Sequence, residues 1–494
     1  MTPAEDVLAE LAALRAGDLP THGGRTLAYV YDSALPGLDD LAARAHALAS
    51  SVNGLDPTAF PSLLRLENDV VATAARLLGG SPETVGTVTS GGTESCLLAV
   101  LAARDAAQTI GSQTIGSRTI VSPSIVLPET AHAAFHKAAH YFGVRVVAVP
   151  VDPKTFRADP AAMAAAIDDT TVLVVASAPS YAHGVVDPVA PIAAAAAERG
   201  VRCHVDACIG GWILPFAPDA PPFDFSVPGV TSISVDLHKY AYAPKGTSVL
   251  LHANADLRRS QYFASAAWPG YTMLNSTTQS TRSGGPVAAA WAVLRHVGED
   301  GYRSLAHTAL AATRVIREGV EAIEGLRVLG EPDSTLIAFT ADDVDVFVVA
   351  DEMRARNWYV QPQFAHRSSP ANLHLTVTAA NAGAEEVFLA DLRASVDAAR
   401  AAGPADVPAE VVAFVQGLDP DALTPREFAG LLAAAGMGGQ GSSGQGSGGG
   451  SDGPGSGGRG VLPDRMAVVN TLLAAARPAL RERLLVEFLG ILYS

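Results

Sequence analysis

The sequence predicts an α/β fold: a large domain on a mostly parallel sheet, followed by a smaller C-terminal α/β domain. Three observations point there. Between Val85 and His252, short runs rich in β-branched residues alternate with stretches of helical apolar spacing, the rhythm of repeated strand–helix–strand units. Residues 326 to 402 take up a shorter version of that rhythm: strand, strand, helix, strand, helix. Where the first strand gives way to a helix, the chain reads Ser90-Gly91-Gly92-Thr93. Two glycines at such a junction let the backbone approach a ligand, and the first amides of the helix attract an anion.

In order, Leu38 to Ser51 and Leu63 to Leu78 have helical spacing. The turn-rich link Asn53-Gly-Leu-Asp56-Pro-Thr-Ala-Phe-Pro-Ser62 separates them. Strands are expected at Val85 to Thr89, Ile125 to Pro128, Val144 to Val149, Thr171 to Ala176, Val201 to Asp206, Val230 to Val235 and Thr247 to His252. Helices are expected at Cys96 to Asp105, Ala161 to Ile167, Val189 to Arg199 and Val287 to Val297, with helical spacing continuing to Ile323. His132, His136 and His140, four apart, would share one helix face, where packing or surface roles outweigh a metal site. The five-residue repeat Thr-Ile-Gly-Ser near residue 110 reads as an expanded surface loop. Proline-broken short helices at 403–437 precede a Gly/Ser-rich flexible linker at 438–461. The expected division is therefore an N-terminal helical segment (1–84), the large domain (85–300), the small domain (301–402), the tail (403–437), the linker and a C-terminal helical segment (462–494).

The 494 residues suffice for two or three domains, and a net charge of −16 argues against nucleic acid or an anionic membrane as partner. No apolar run reaches membrane-spanning length and no signal-peptide core is evident. Cys96, Cys203 and Cys208 form neither a disulfide framework nor a paired metal-ligand pattern, which fits a reducing cytoplasm.

Lysine is scarce: Lys137, Lys154, Lys239 and Lys245 are all there is. Arginine cannot supply a neutral amine, so amine chemistry has few places to reside. Asp236-Leu-His238-Lys239 sits where a strand ends, the edge at which ligands gather in open α/β sheets. A Schiff-base lysine beside a histidine is one reading, and a lysine that merely flanks a strand is the other. Another strand ends on Asp206. A glycine anion cradle, a strand-end aspartate and a strand-end lysine are together what pyridoxal 5'-phosphate requires: a helix start for its phosphate, a carboxylate for its ring nitrogen and an amine for its aldehyde. Their order along the chain matches that in fold-type I pyridoxal-phosphate enzymes.

Thr87-Val-Thr-Ser-Gly-Gly-Thr-Glu-Ser95, the Ala131 to Ala139 stretch, His183-Gly-Val-Val-Asp-Pro188, His204-Val-Asp-Ala-Cys-Ile-Gly-Gly211 and Ser232 to Gly246 resemble the sphingosine-1-phosphate lyases of the group II pyridoxal-dependent decarboxylase superfamily. The likeness runs from about Tyr31 to Arg400. It implies that Lys239 bonds the cofactor, Asp206 holds the pyridine nitrogen and His132 stacks on the ring. Ser90, Gly91, Gly92 and His238 would hold the cofactor phosphate, helped across a homodimer interface by the loop at Ser283 and Gly284. Lys245 and Tyr31 would meet a phosphate on the substrate. One departure stands out: where the family carries a histidine that helps bind that phosphate, this chain has Asp56. The implied activity is retro-aldol cleavage of a phosphorylated amino alcohol into an aldehyde and an amino-alcohol phosphate. The competing readings are decarboxylation of an amino acid and a scaffold without catalysis.

Overall fold

The computed structural model describes residues 2–113, 122–424, 427–428, 430 and 465–493. The repeat beyond residue 113 and the Gly/Ser stretch 438–461 lie outside them. In chain order the elements of the larger unit are helices α1 (Ala4–Leu14), α2 (Leu38–Ala49) and α3 (Pro61–Leu77), then β1 (Val85–Thr89), α4 (Gly92–Gln113), β2 (Ser124–Pro128), α5 (Ala134–Phe142), β3 (Arg145–Val149), α6 (Pro160–Ala166), β4 (Thr171–Ser177), α7 (Val189–Glu198), β5 (Arg202–Asp206), β6 (Val230–Asp236), β7 (Ser248–His252), α8 (Ala255–Arg259), the β8 (Phe263–Ser265) and β9 (Met273–Asn275) hairpin and α9 (Gly284–Glu321). The expected strands are all present. The helix after β1 begins at Gly92 rather than Cys96, so both glycines stand at the helix start itself.

Seven strands form one sheet in the order β1-β7-β6-β5-β4-β2-β3. Parallel pairing joins β3, β2, β4, β5 and β6. Strands β4 and β7 are buried along their whole length, as expected for a sheet covered on both faces. The exception is β7, antiparallel to both β6 and β1. Residues 237–247 alone connect β6 to β7, too short for the helical crossover that a parallel neighbour needs. That short return keeps His238 and Lys239 at the sheet edge where β6 ends.

Helices α2, α3 and α9 contribute Leu38, Ala42, Leu63, Val70, Val287 and Val293 to the main core. Helix α9 breaks at Gly298, whose φ of 64° leaves the helical region, directly after Val297 where the first of the two expected helical stretches ends. The three histidines near residue 136 do not share a helix face. His132 precedes α5, and its Nδ1 accepts the amide of Ala134 at the helix start.

A second compact unit comprises residues 323–327, 340–373 and the described residues from 387 on. Strands β10 (Leu326–Val328), β11 (Leu336–Ala341), β12 (Gln361–Gln363) and β13 (Asn372–Thr376) form a four-stranded sheet in the order β10-β11-β13-β12. The short β12 is one strand more than the sequence suggests. The remaining helices are α10 (Val346–Ala355), α11 (Glu385–Ala402), α12 (Ala409–Gly417), α13 (Ala467–Ala475) and α14 (Pro478–Leu492). Asp351 accepts the amides of Met466 and Ala467 at the start of α13. Val415, Leu423, Phe428, Ala476 and Leu480 share one buried cluster, so the residues before and after the Gly/Ser stretch fold against each other. Among the described residues no helix is long and apolar enough to cross a membrane.

Candidate active site

The strand register gathers the site. Thr89, at the end of β1, pairs with Ser248 at the start of β7, and Ser248 pairs with Asp236 at the end of β6. One row back, Asp206 at the end of β5 pairs with Ser234. Ser90-Gly91-Gly92, His238-Lys239 and Asp206 therefore leave the sheet from one edge.

Lys239 is turned inward. Its Nζ lies 2.9 Å from Asp236 Oδ2, and Asp236 is 2% exposed. Burial opposes a charge on Lys239, but Asp236, with Tyr31 and Cys208, holds its pKa well above the ordinary lysine value. Burial would raise the Asp236 carboxyl; Lys239, His238 and a 2.5 Å hydrogen bond donated by Ser248 keep it below the usual range. His238 Nδ1 is 3.2 Å from the carbonyl of Thr247, which makes Nδ1 the protonated nitrogen and leaves Nε2 3.6 Å from Asp236. Burial lowers the His238 pKa, Asp236 pulls it back, and Lys245 and Lys239 add to the drop.

The glycine turn faces this group. A Cβ on Gly91 would lie 3.9 Å from His238 Cε1. A Cβ on Gly92 would come within 2.7 Å of Asp236 and 2.8 Å of the Cys208 sulfur, so no larger residue fits there. Ser90, at the mouth, is exposed, and its amide donates to Glu94. Helix α4 thus points its first, intrinsically unpaired amides at the edge that holds His238 and Lys239.

Asp206 is buried differently. Its Oδ1 accepts from the Cys208 amide at 3.1 Å and the Ser234 hydroxyl at 3.3 Å. Among the described residues no basic side chain pairs with it. A buried carboxylate held only by neutral donors is short of a positive partner, and a protonated pyridine nitrogen is such a partner. The cradle, the amine and this carboxylate fit pyridoxal phosphate.

On the outer side, Lys245 Nζ stands 5.1 Å from the Tyr31 ring centroid and donates to the Tyr29 carbonyl at 3.2 Å. Tyr31 packs edge-on against Tyr240, 5.1 Å away, and burial raises its pKa to about 12. Partial burial and the nearby Lys239 lower the Lys245 pKa.

Three expected residues stand apart. No hydrogen bond, ion pair or ring contact among the described residues links His132, Asp56 or Ser283 to the Lys239 group. Asp56 is exposed and caps its own turn, accepting from the Thr58 amide at 2.8 Å and hydroxyl at 2.6 Å. Ser283 caps α9 through the amide of Gly285, and its segment bridges to Asn53. Gly54 donates to Arg282, and Gly284 to Val52, so Asp56's turn and the Ser283–Gly284 loop are stitched together.

Asp236, Cys96, Cys208 and Ser234 are the residues that sequence reasoning missed. Asp236 was within reach, three residues before Lys239 at the same strand end. The cysteines were not: Cys96 in α4 and Cys208 after β5 meet only through the sheet register.

Residues 27–342 match the pyridoxal-dependent decarboxylase conserved domain, and residues 409–491 match a C-terminal HTH domain of pyridoxal-dependent enzymes. A sphingosine-1-phosphate lyase of Dictyostelium discoideum is 40% identical over 356 residues, covering 71% of this chain and 65% of that protein. A rice sphingosine-1-phosphate lyase is 38% identical over 405 residues, covering 80% and 73%. The solved sphingosine-1-phosphate lyase of Burkholderia pseudomallei superposes with a TM-score of 0.76 at 38% identity, over 81% of this chain and 92% of that one. The chain thus spans about two thirds to three quarters of these two curated relatives. It belongs to the pyridoxal-dependent decarboxylase family, alongside its sphingosine-1-phosphate lyases.

Proposed function

We propose that the protein is a pyridoxal-phosphate-dependent carbon–carbon lyase that cleaves a phosphorylated long-chain amino alcohol, of the sphingosine-1-phosphate type, into an aldehyde and an amino-alcohol phosphate. The observation that carries this reading is the Lys245–Tyr31 pair outside the Lys239 group: a cation fixed over an aromatic ring, with a phenol beside it, suits a phosphate carried by the substrate. The likeness at 34–40% identity to sphingosine-1-phosphate lyases supports the same substrate class. When bound, pyridoxal phosphate supplies the sink for the electrons of the broken carbon–carbon bond.

The chain's residues divide the remaining work. Lys239 would be the amine that holds the cofactor's aldehyde. Asp206 holds a proton on the ring nitrogen. The α4 amides, Ser90 and His238 take the cofactor phosphate, with Gly91 and Gly92 clearing the approach. Lys245 and Tyr31 receive the substrate's phosphate, and His132 covers the ring. The protein works as a homodimer in which the Ser283–Gly284 loop reaches the partner's site, and it resides in the cytoplasm.

The test is to incubate the holoenzyme with sphingosine-1-phosphate and, separately, with amino acids, and to identify the products by mass. A fatty aldehyde together with phosphoethanolamine is expected. Carbon dioxide from an amino acid, with no aldehyde, would make the protein a decarboxylase.

A further inference from the structure

Two buried thiols flank the carboxylate assigned to the cofactor's ring nitrogen, and the reaction uses neither. Cys96 Sγ, Cys208 Sγ and an oxygen of Asp206 all lie within 4.8 Å of one another, on residues 1%, 7% and 8% exposed. The Ser234 hydroxyl stands over the three, 3.3 Å from Asp206 Oδ1, 3.4 Å from Cys208 Sγ and 4.0 Å from Cys96 Sγ. A tetrahedral zinc ion with bonds of about 2.3 Å to sulfur needs neighbouring ligand atoms roughly 3.8 Å apart. The spacing of the three is thus within a small contraction of three corners of that tetrahedron.

We propose that the protein, when free of cofactor, binds one thiophilic divalent cation of the zinc class through Cys96, Cys208 and Asp206, in competition with pyridoxal phosphate. Two thiols and a carboxylate select zinc or cadmium over magnesium or calcium. Binding converts both thiols to metal-bound thiolates, releases two protons and changes no oxidation state. The three ligands come from α4, from the end of β5 and from the turn after it, so their placement is set by the sheet and not by a loose loop. An outer layer is present too: Ser234 is 3.2 Å from His204 Nε2, and His204 Nδ1 is 2.9 Å from Ser232. Gly92 leaves room for the Cys208 sulfur, since a Cβ there would come within 2.8 Å of it. The metal occupies Asp206, and so removes the carboxylate that the ring nitrogen requires. The competition rests on the cofactor reading of Asp206; the metal site itself does not.

Cadmium is the probe, with the full-length chain stripped of cofactor in a non-thiol reductant. Wild type is expected to bind one cadmium per chain with a thiolate-to-cadmium absorption band. Cys203→Ser, whose sulfur lies on the opposite face of β5 from Asp206, should bind identically. Cys96→Ser and Cys208→Ser should lose most of the band and bind roughly 10-fold more weakly or worse. Added pyridoxal phosphate should raise the apparent Kd of cadmium in wild type in proportion to its concentration. If the serine variants fold poorly, cadmium NMR on the wild-type chain still decides, because its resonance reports the number of sulfur ligands, expected to be two. A resonance without sulfur or an unchanged band in Cys208→Ser overturns the metal site, and a cadmium Kd indifferent to pyridoxal phosphate overturns the competition. No turnover is measured, so a chain that binds cadmium as expected yet cleaves no amino alcohol sinks the reaction and spares the site.

Discussion

Asp206 and Asp236 occupy equivalent places, each the last residue of a strand, on neighbouring strands of one sheet, and each under a tenth exposed. Their surroundings make them different reagents. Asp236 has its charge matched from within: Lys239 at 2.9 Å, His238 at 3.6 Å and the Ser248 hydroxyl. Asp206 has only a backbone amide and a serine hydroxyl. A buried carboxylate that already owns a cation organises the protein, whereas one that owns none is prepared for a ligand that brings the charge. Residue type and topology alone do not separate the two; the partners do.

The largest effect should come from Asp206→Asn. The variant is expected to retain bound cofactor and lose roughly 1,000-fold or more in turnover, about 4 kcal/mol of barrier. Cofactor absorbance and product release measured on the same sample check it. If Asp236→Asn is the more crippling change, the contrast between the two carboxylates is reversed.

His204, on the Asp206 side, carries part of the chain's acid sensitivity. His204, fully buried between Ser232 and Ser234, has its pKa lowered by burial from 6.5 to about 4, with Asp206 pulling weakly the other way. The unfolded chain takes up a proton near pH 6.5 that the native state refuses until about pH 4. Stability from this group is therefore complete above pH 6.5 and is lost as pH falls toward 4, by about 3 kcal/mol. His183 and His374, also lowered to about 4, and His252, lowered to about 3, all by burial, act in the same direction. Asp187, raised to about 6 by burial, opposes them, because the native state then binds its proton first. Four histidines against Asp187 and Glu67, whose carboxyl burial also raises, leave acid destabilising on balance. Denaturant melts at pH 7 and pH 5 should show the loss, and His204→Gln should flatten the difference; an unchanged slope refutes the His204 share.

On the other side, Asp236→Asn removes the anion that holds the Lys239 ammonium charged. The amine should then lose its proton at lower pH, because burial continues to oppose its charge and the coulombic support of Asp236 is gone. Cofactor-free protein should take up pyridoxal phosphate faster near neutral pH than wild type does, and borohydride reduction with peptide mapping should still find the label on Lys239. Uptake that does not change with the substitution would mean that Asp236 merely fills space.

The parts of this site legible in the sequence were those that one strand end carries by itself. Val230 to Val235 followed by Asp236-Leu-His238-Lys239 announced its own strand, its end and its amine, and the glycine pair after Thr89 announced a helix start. The antiparallel return of β7 was not legible, because a run such as Ser248-Val-Leu-Leu-His252 looks the same in either direction. The Cys96–Cys208–Asp206 cluster was hidden for a related reason: it exists only once β1, β7, β6 and β5 lie side by side, and no local spacing records that order.

Asp56 is the third carboxylate in the comparison and should matter least. Taken from the sequence, it stands where the family resemblance implies a histidine against the substrate's phosphate. In the structure its Oδ1 is occupied by the amide and hydroxyl of Thr58, and these bonds, the hydroxyl's first, lower its pKa and keep it ionised. Its backbone carbonyl takes the amide of Ala59, and Pro57 fixes the turn between. An exposed carboxylate so engaged is screened by water and turned toward its own backbone. Asp56→Ala should therefore shift the melting temperature by less than about 2 °C, since solvent replaces the lost acceptor at an exposed turn. Asp56→Ala and Asp56→His should both turn over sphingosine-1-phosphate within about threefold of wild type, since neither change alters the Lys245–Tyr31 pair. A kcat/KM that rises more than about 10-fold in Asp56→His, a gain of about 1.4 kcal/mol, would show that the turn opens and that residue 56 faces the phosphate after all.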